Sequence, residues 1–114
     1  MYRWLKWQKG RQATGYDKML IANARWPLRF DVYVLRFPQG CHVPEHRDEV
    51  RDGRHYRLNL VLKRAQSGGE FHCADPIFET TRIKFFRPDV SLHSVTKIEL
   101  GCRYVLSIGC LRRK

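Results

Sequence analysis

The chain has 114 residues, 43% of them hydrophobic and 29% charged, a size and balance that suit one globular domain with a single core. No apolar run approaches the ~20 residues of a membrane-spanning helix, and the segment from Met1 to Lys6 lacks the apolar centre of a secretory signal, so a cytoplasmic protein away from membranes is expected. The formal net charge of +11 says nothing about fold; it suits either polyanionic partners, nucleic acid first, or a solubilising surface whose sign carries no message. Cys41, Cys73, Cys102 and Cys110 form no C-x-x-C pair, which argues against a zinc ribbon and for reduced thiols.

Residues 1–30 carry seven Lys or Arg against the single acid Asp17 and read as a basic N-terminal extension packing on the domain. Trp4 and Trp7 within it suit core plugs. Tyr16 to Ala24 fits either a helix, with Tyr16, Met19, Leu20 and Ala24 near one face, or a strand pairing with residues 31–37; the strand is favoured. Residues 31–37 are rich in β-branched and aromatic side chains and stop at the turn signal Pro38-Gln39-Gly40. Residues 56–63 alternate, placing Tyr56, Leu58, Leu60 and Leu62 on one face and Arg57, Asn59, Val61 and Lys63 on the other. Residues 82–86 form a further strand closed by Arg87-Pro88-Asp89. Residues 92–98 and 102–108 read as a hairpin turned at Glu99-Leu100-Gly101. Short strands separated by regular turns predict a β-sandwich or barrel.

The chemistry concentrates in His46-Arg47-Asp48. In extended chain, residues two apart project to the same side, so His46 and Asp48 can meet one metal ion. A second imidazole would complete two histidines and a carboxylate on one face of the ion, a donor set that suits non-haem Fe(II). The candidates are His42, His55, His72 and His93. His42 is too close to His46 for an independent strand, and His55 and His72 flank turns. His93 has the best context, because Arg103 follows ten residues later and a guanidinium can fork onto a carboxylate. An open iron beside an arginine clamp is what a 2-oxo dicarboxylic acid needs. Taken singly, each of these residues is more often a surface polar group; their order along the chain is what carries the signal.

These residues bring a family into view. The stretch from Asp31 to Gly109, about 80 residues, resembles the Fe(II)/2-oxoglutarate-dependent oxygenases, in particular the prolyl-hydroxylase-like branch. The likeness rests on Val32 to Phe37, the Pro38–Gly40 turn, His46-Arg47-Asp48, Tyr56 to Leu62, Gly68-Gly69-Glu70-Phe71, Lys84-Phe85-Phe86, His93-Ser94-Val95 and Gly101-Cys102-Arg103. It implies a double-stranded β-helix, a cupin-like jelly-roll barrel with little or no flanking helix. It also implies that His46, Asp48 and His93 ligate iron and that Arg103 binds the far carboxylate of 2-oxoglutarate. Arg57 and Asn59 sit in the phase of pocket-facing positions, where either can assist the cosubstrate or touch substrate. The implied reaction consumes O2 and 2-oxoglutarate, releases succinate and CO2, and hydroxylates a C–H bond of a macromolecule, protein side chain or nucleic acid.

The sequence departs from family patterns at two positions. Val105 stands where some branches place a carboxylate-binding serine, with Ser107 further along the same face. Gly109 stands where the nucleic-acid-demethylating branch has a second arginine. Two competing readings are a basic β-barrel that stacks bases on Trp4, Trp7, Phe85 and Phe86, and a catalytically silent jelly roll that holds a metal.

Overall fold

The computed structural model describes residues 6–9, 15–25, 29–48 and 53–112, and every regular element among them is a strand. In chain order these are β1 (Trp7–Lys9), β2 (Asp17–Ala24), β3 (Arg29–Phe37), β4 (Val43–His46), β5 (Arg54–Lys63), β6 (Ser67–Gly68), β7 (Phe71–Cys73), β8 (Phe78–Glu79), β9 (Ile83–Phe86), β10 (His93–Val95), β11 (Ile98–Leu100) and β12 (Arg103–Arg112). They form a seven-stranded sheet in the order β1-β2-β3-β12-β5-β9-β8, a three-stranded sheet β4-β10-β7 and a two-stranded sheet β11-β6. No helix is long and apolar enough to cross a membrane.

The chain passes back and forth between the sheets: β3, β5 and β12 lie in the large one, and β4, β7 and β10 in the small one. This alternation is the double-stranded β-helix, and it places the core between the sheets. Phe37 from β3, Val43 from β4, Val95 from β10, Ile98 from β11 and Val105 from β12 form one buried cluster with Cys41. Ile98 is fully buried, and its backbone exchanges hydrogen bonds with the turn after β3 through Gly40 N to Ile98 O (2.8 Å) and Ile98 N to Cys41 O (2.8 Å).

β2 pairs antiparallel with β3, Met19 opposite Val34, which settles the Tyr16–Ala24 segment as strand. The N-terminal stretch therefore joins the large sheet edge-on. Trp7 corrects the expected core plug: it is half-buried, and its ring carries the Arg36 guanidinium at 3.9 Å while Arg36 also bonds Asp17 at 3.0 Å. Trp4 lies outside the described residues. The alternation of β5 is as read, but the apolar face points outward. Arg57, Asn59 and Val61 stand beside Gly109, Ser107 and Val105 of β12, facing the barrel interior. Phe86 is buried and Phe85 lies on the outer face, stacked on Tyr56 at 6.1 Å.

The predicted hairpin of residues 92–98 and 102–108 does not form. β10 pairs with β4 and β7, whereas β12 pairs with β3 and β5. The chain instead crosses between sheets at Gly101, whose φ of +91° and ideal Cβ position 3.0 Å from Gln66 N admit only glycine without strain. The crossing sends His93 and Arg103 to opposing walls of one interior.

Because Ile98 joins the two sheets at the centre of the core, Ile98→Ala is expected to destabilise the protein by about 2–5 kcal/mol in urea unfolding. Leu62→Ala, at a 49% exposed position, is expected to change it by less than about 0.5 kcal/mol.

Candidate metal centre

β4 ends at His46, β10 begins at His93, and the two residues are direct cross-strand partners. Their rings meet at 4.3 Å between centroids. Asp48 follows just beyond the end of β4, and its position is fixed from the neighbouring turn. Its backbone N–H donates to Pro88 O at 2.7 Å, and Arg47 Nε donates to Val90 O at 3.1 Å. That turn is closed by the Arg87–Asp89 ion pair at 2.6 Å. Burial raises the Asp89 carboxyl, but the Arg87 hydrogen bond and nearby backbone amides more than offset it, so its pKa is lowered overall. The same turn leads into β10 through buried Ser91, whose Oγ accepts from Asp75 N at 3.0 Å.

The donor atoms of His46, Asp48 and His93 all lie within 4.8 Å of one another. Nε2 of His46 faces Asp48 Oδ1 at 3.4 Å, and Nε2 of His93 faces Oδ2 at 3.4 Å. The other ring nitrogens are held by main chain: His46 Nδ1 lies 2.8 Å from Pro44 O and His93 Nδ1 2.9 Å from Ser91 O. A carbonyl oxygen only accepts, so each neutral ring carries its hydrogen on Nδ1 and keeps the Nε2 lone pair for the centre. Two imidazole lone pairs and a carboxylate converging on one point repel one another unless a cation lies between them. Outer hydrogen bonds of this kind are what orient histidine ligands. The residues fit a divalent metal, and the pairing of nitrogen and carboxylate donors on one side suits Fe(II).

The triad lines a cavity of about 260 Å³ together with Phe37, Phe71, Phe86, Asn59, Arg57, Ser107 and Arg103. Phe86 packs on His93 at 5.1 Å and Phe71 on His93 at 6.1 Å, closing the centre from the core side. The two arginines differ in kind. Arg57 is already neutralised: its Nη2 bonds Asp31 Oδ1 at 2.8 Å and its Nη1 bonds Ser107 Oγ at 2.7 Å. Ser107 in turn donates to Asn59 Oδ1 at 2.6 Å. Arg103 is 6% exposed and has no ion pair among the described residues; its guanidinium lies 5.4 Å over the Phe37 ring. Loss of hydration alone pushes its pKa down to about 10.

Every predicted site residue thus borders one cavity, the triad forming a single cluster with Arg103, Arg57 and Asn59 on the walls. His42 and His72 are exposed elsewhere. His55 borders the same cavity, held 3.3 Å from Arg57, and its pKa is lowered by burial and by the Arg57 charge. Sequence reasoning missed Tyr33 and Phe37 as lining residues, and Asp31 as the partner of Arg57, although alternation along β3 puts the three on one face. It also missed Ser91, which acts through a main-chain carbonyl and leaves no sequence signal. Gly109 has a physical reason: a side chain there would strike the Arg57 guanidinium, with a Cβ 2.6 Å from Cζ.

No protein-family model and no curated protein matches the chain. Solved structures do. A prolyl-4-hydroxylase from Pseudomonas putida superposes with a TM-score of 0.70 at 18% identity, covering 95% of this chain and 77% of that one. The cupin domain of Cnp3 from Schizosaccharomyces pombe gives 0.64 at 12% identity, covering 95% and 69%. KdgF from Halomonas sp. gives 0.60 at 19%, covering 96% and 88%. The likeness shows the fold, a cupin-type jelly roll.

Asp48→Ala removes the group that both imidazoles face and is expected to weaken Fe(II) or Mn(II) binding at least a hundredfold by calorimetry, with the fold retained by circular dichroism. Arg103→Met removes a buried charge that has no ion-pair partner among the described residues. It is expected to raise stability in urea by about 1–3 kcal/mol, leaving metal affinity unchanged.

Proposed function

We propose that this protein is an Fe(II)- and 2-oxoglutarate-dependent dioxygenase that hydroxylates a macromolecular substrate. The observation that carries the reading is Arg103: a buried guanidinium with no counter-ion among the described residues, in the same cavity as a three-donor cluster. A buried cation without a partner is costly, and an anionic ligand that fills the cavity removes the cost. The ligand must also offer a chelating group to the triad, and a 2-oxo dicarboxylate has both ends.

With iron at the triad, 2-oxoglutarate and O2 supply the oxidising power, giving succinate, CO2 and a hydroxylated product. The chain's own residues bind and orient. His46, Asp48 and His93 would hold the ion, and their donor set would suit non-haem Fe(II), which would supply the oxidative chemistry. Arg103 fixes the far carboxylate by charge-assisted hydrogen bonds. Asn59 spends its carbonyl on Ser107, so its amide N–H groups face the cavity as donors to the bound cosubstrate. Arg57, already paired with Asp31, acts as a rigid wall rather than a second clamp. Phe71 and Phe86 keep water from the core side of the ligands, protecting the oxidising centre.

The test is turnover. Protein supplied with Fe(II), O2 and 2-oxoglutarate is expected to release succinate slowly without substrate. Asp48→Ala is expected to abolish release, and Arg103→Met to raise the KM for 2-oxoglutarate by a hundredfold or more. Succinate release indifferent to both substitutions would contradict the reading.

A further inference from the structure

The large sheet ends in arginines at the metal side of the cavity. Leu111 of β12 stands opposite Arg29 of β3 and His55 of β5, and Arg112 stands opposite Arg54. His55 borders the cavity with His46 and Asp48, so this sheet end is the metal end. Arg25 directly follows β2, whose last residue Ala24 pairs with Phe30, and Arg47 lies between two residues of the triad. Arg25, Arg29, Arg47, Arg54 and Arg112 are all exposed.

Elsewhere in the sheet several basic side chains are matched: Arg36 with Asp17, Arg57 with Asp31, Lys84 with Glu79. The five rim arginines have no acidic partner among the described residues; Arg47 bonds only the Val90 carbonyl there. Arg54 and Arg112 are direct cross-strand neighbours, an arrangement of like charges that destabilises a sheet. A rim that tolerates this cost is built to meet an anion.

We infer that the rim binds the sugar–phosphate backbone of a single-stranded nucleic acid and presents a base to the cavity; the chemistry performed on that base rests on the oxygenase reading above. All five rim cations are arginine, whose planar fork matches phosphate better than a lysine point charge. The cavity beside them has an aromatic wall in Tyr33, a face on which a base stacks. The triad lies inside the cavity, so a target base must be unstacked to reach it, which favours single strands over duplex.

The experiment is fluorescence anisotropy with a labelled twelve-nucleotide oligothymidylate, titrated between 50 and 200 mM salt. The wild type is expected to bind with an affinity that falls steeply with salt. Combined Arg29→Gln, Arg54→Gln and Arg112→Gln is expected to weaken binding at least tenfold at 100 mM salt. It is also expected to lower the slope of log K against log salt by about 2, at roughly 0.7 per lost phosphate contact. The charge-matched Lys63→Gln, Arg64→Gln and Lys97→Gln variant, altered away from the rim, is expected to stay within about twofold of wild type. Absent binding at 50 mM salt, or equal loss in both variants, would overturn the inference. So would displacement of the oligonucleotide by polyglutamate at equal charge concentration, which would point to an acidic peptide. Succinate release measured on the same preparations separates the two readings. Turnover without oligonucleotide binding removes the substrate class alone, and rim-dependent binding without turnover removes the oxygenase chemistry while the rim stands.

Discussion

The site depends on one cross-strand pair. Because His93 of β10 stands opposite His46 of β4, two imidazoles distant in sequence share a face, and each is locked by the main-chain carbonyl two residues before it. A slip of one residue in that register would turn one ring to the opposite face. The turn of residues 87–91 guards the register from the other side, since it feeds β10 and also holds the Asp48 loop through Pro88 and Val90. The ligands are therefore ordered by main-chain hydrogen bonds before any ion arrives, which lowers the entropic cost of binding it.

A second constraint is the charge inside the barrel. Arg57 and Arg103 both face the interior, but among the described residues only Arg57 has an acid paired with it. Stability would favour an apolar residue at 103, and the arginine persists at a burial that strips most of its hydration. The Arg57–Ser107–Asn59 chain does the opposite work, pairing Arg57 with Asp31 and Ser107 and using the Asn59 carbonyl on Ser107.

The fold class was legible because short alternating strands and glycine turns leave few alternatives. The pairing was not: residues 92–98 and 102–108 look like a hairpin locally, and only the crossing at Gly101 between sheets reveals the jelly roll. The triad was legible from His46-x-Asp48 with a distant histidine and an arginine beyond it, because period-two spacing and donor chemistry are local properties. Asp31, which neutralises Arg57, was not recognised, since that contact depends on how β3 and β5 flank β12. The inward phase of Arg57 and Asn59 on β5 was legible from the alternation of residues 56–63, and the structure places both on the cavity wall.

The most direct measurement is an anaerobic titration of Fe(II)-loaded protein with 2-oxoglutarate, followed in the visible region. The account predicts a saturable charge-transfer band that disappears in His93→Ala and needs far more 2-oxoglutarate in Arg103→Met. Iron retained by the wild type with no band at any concentration of 2-oxoglutarate would contradict it.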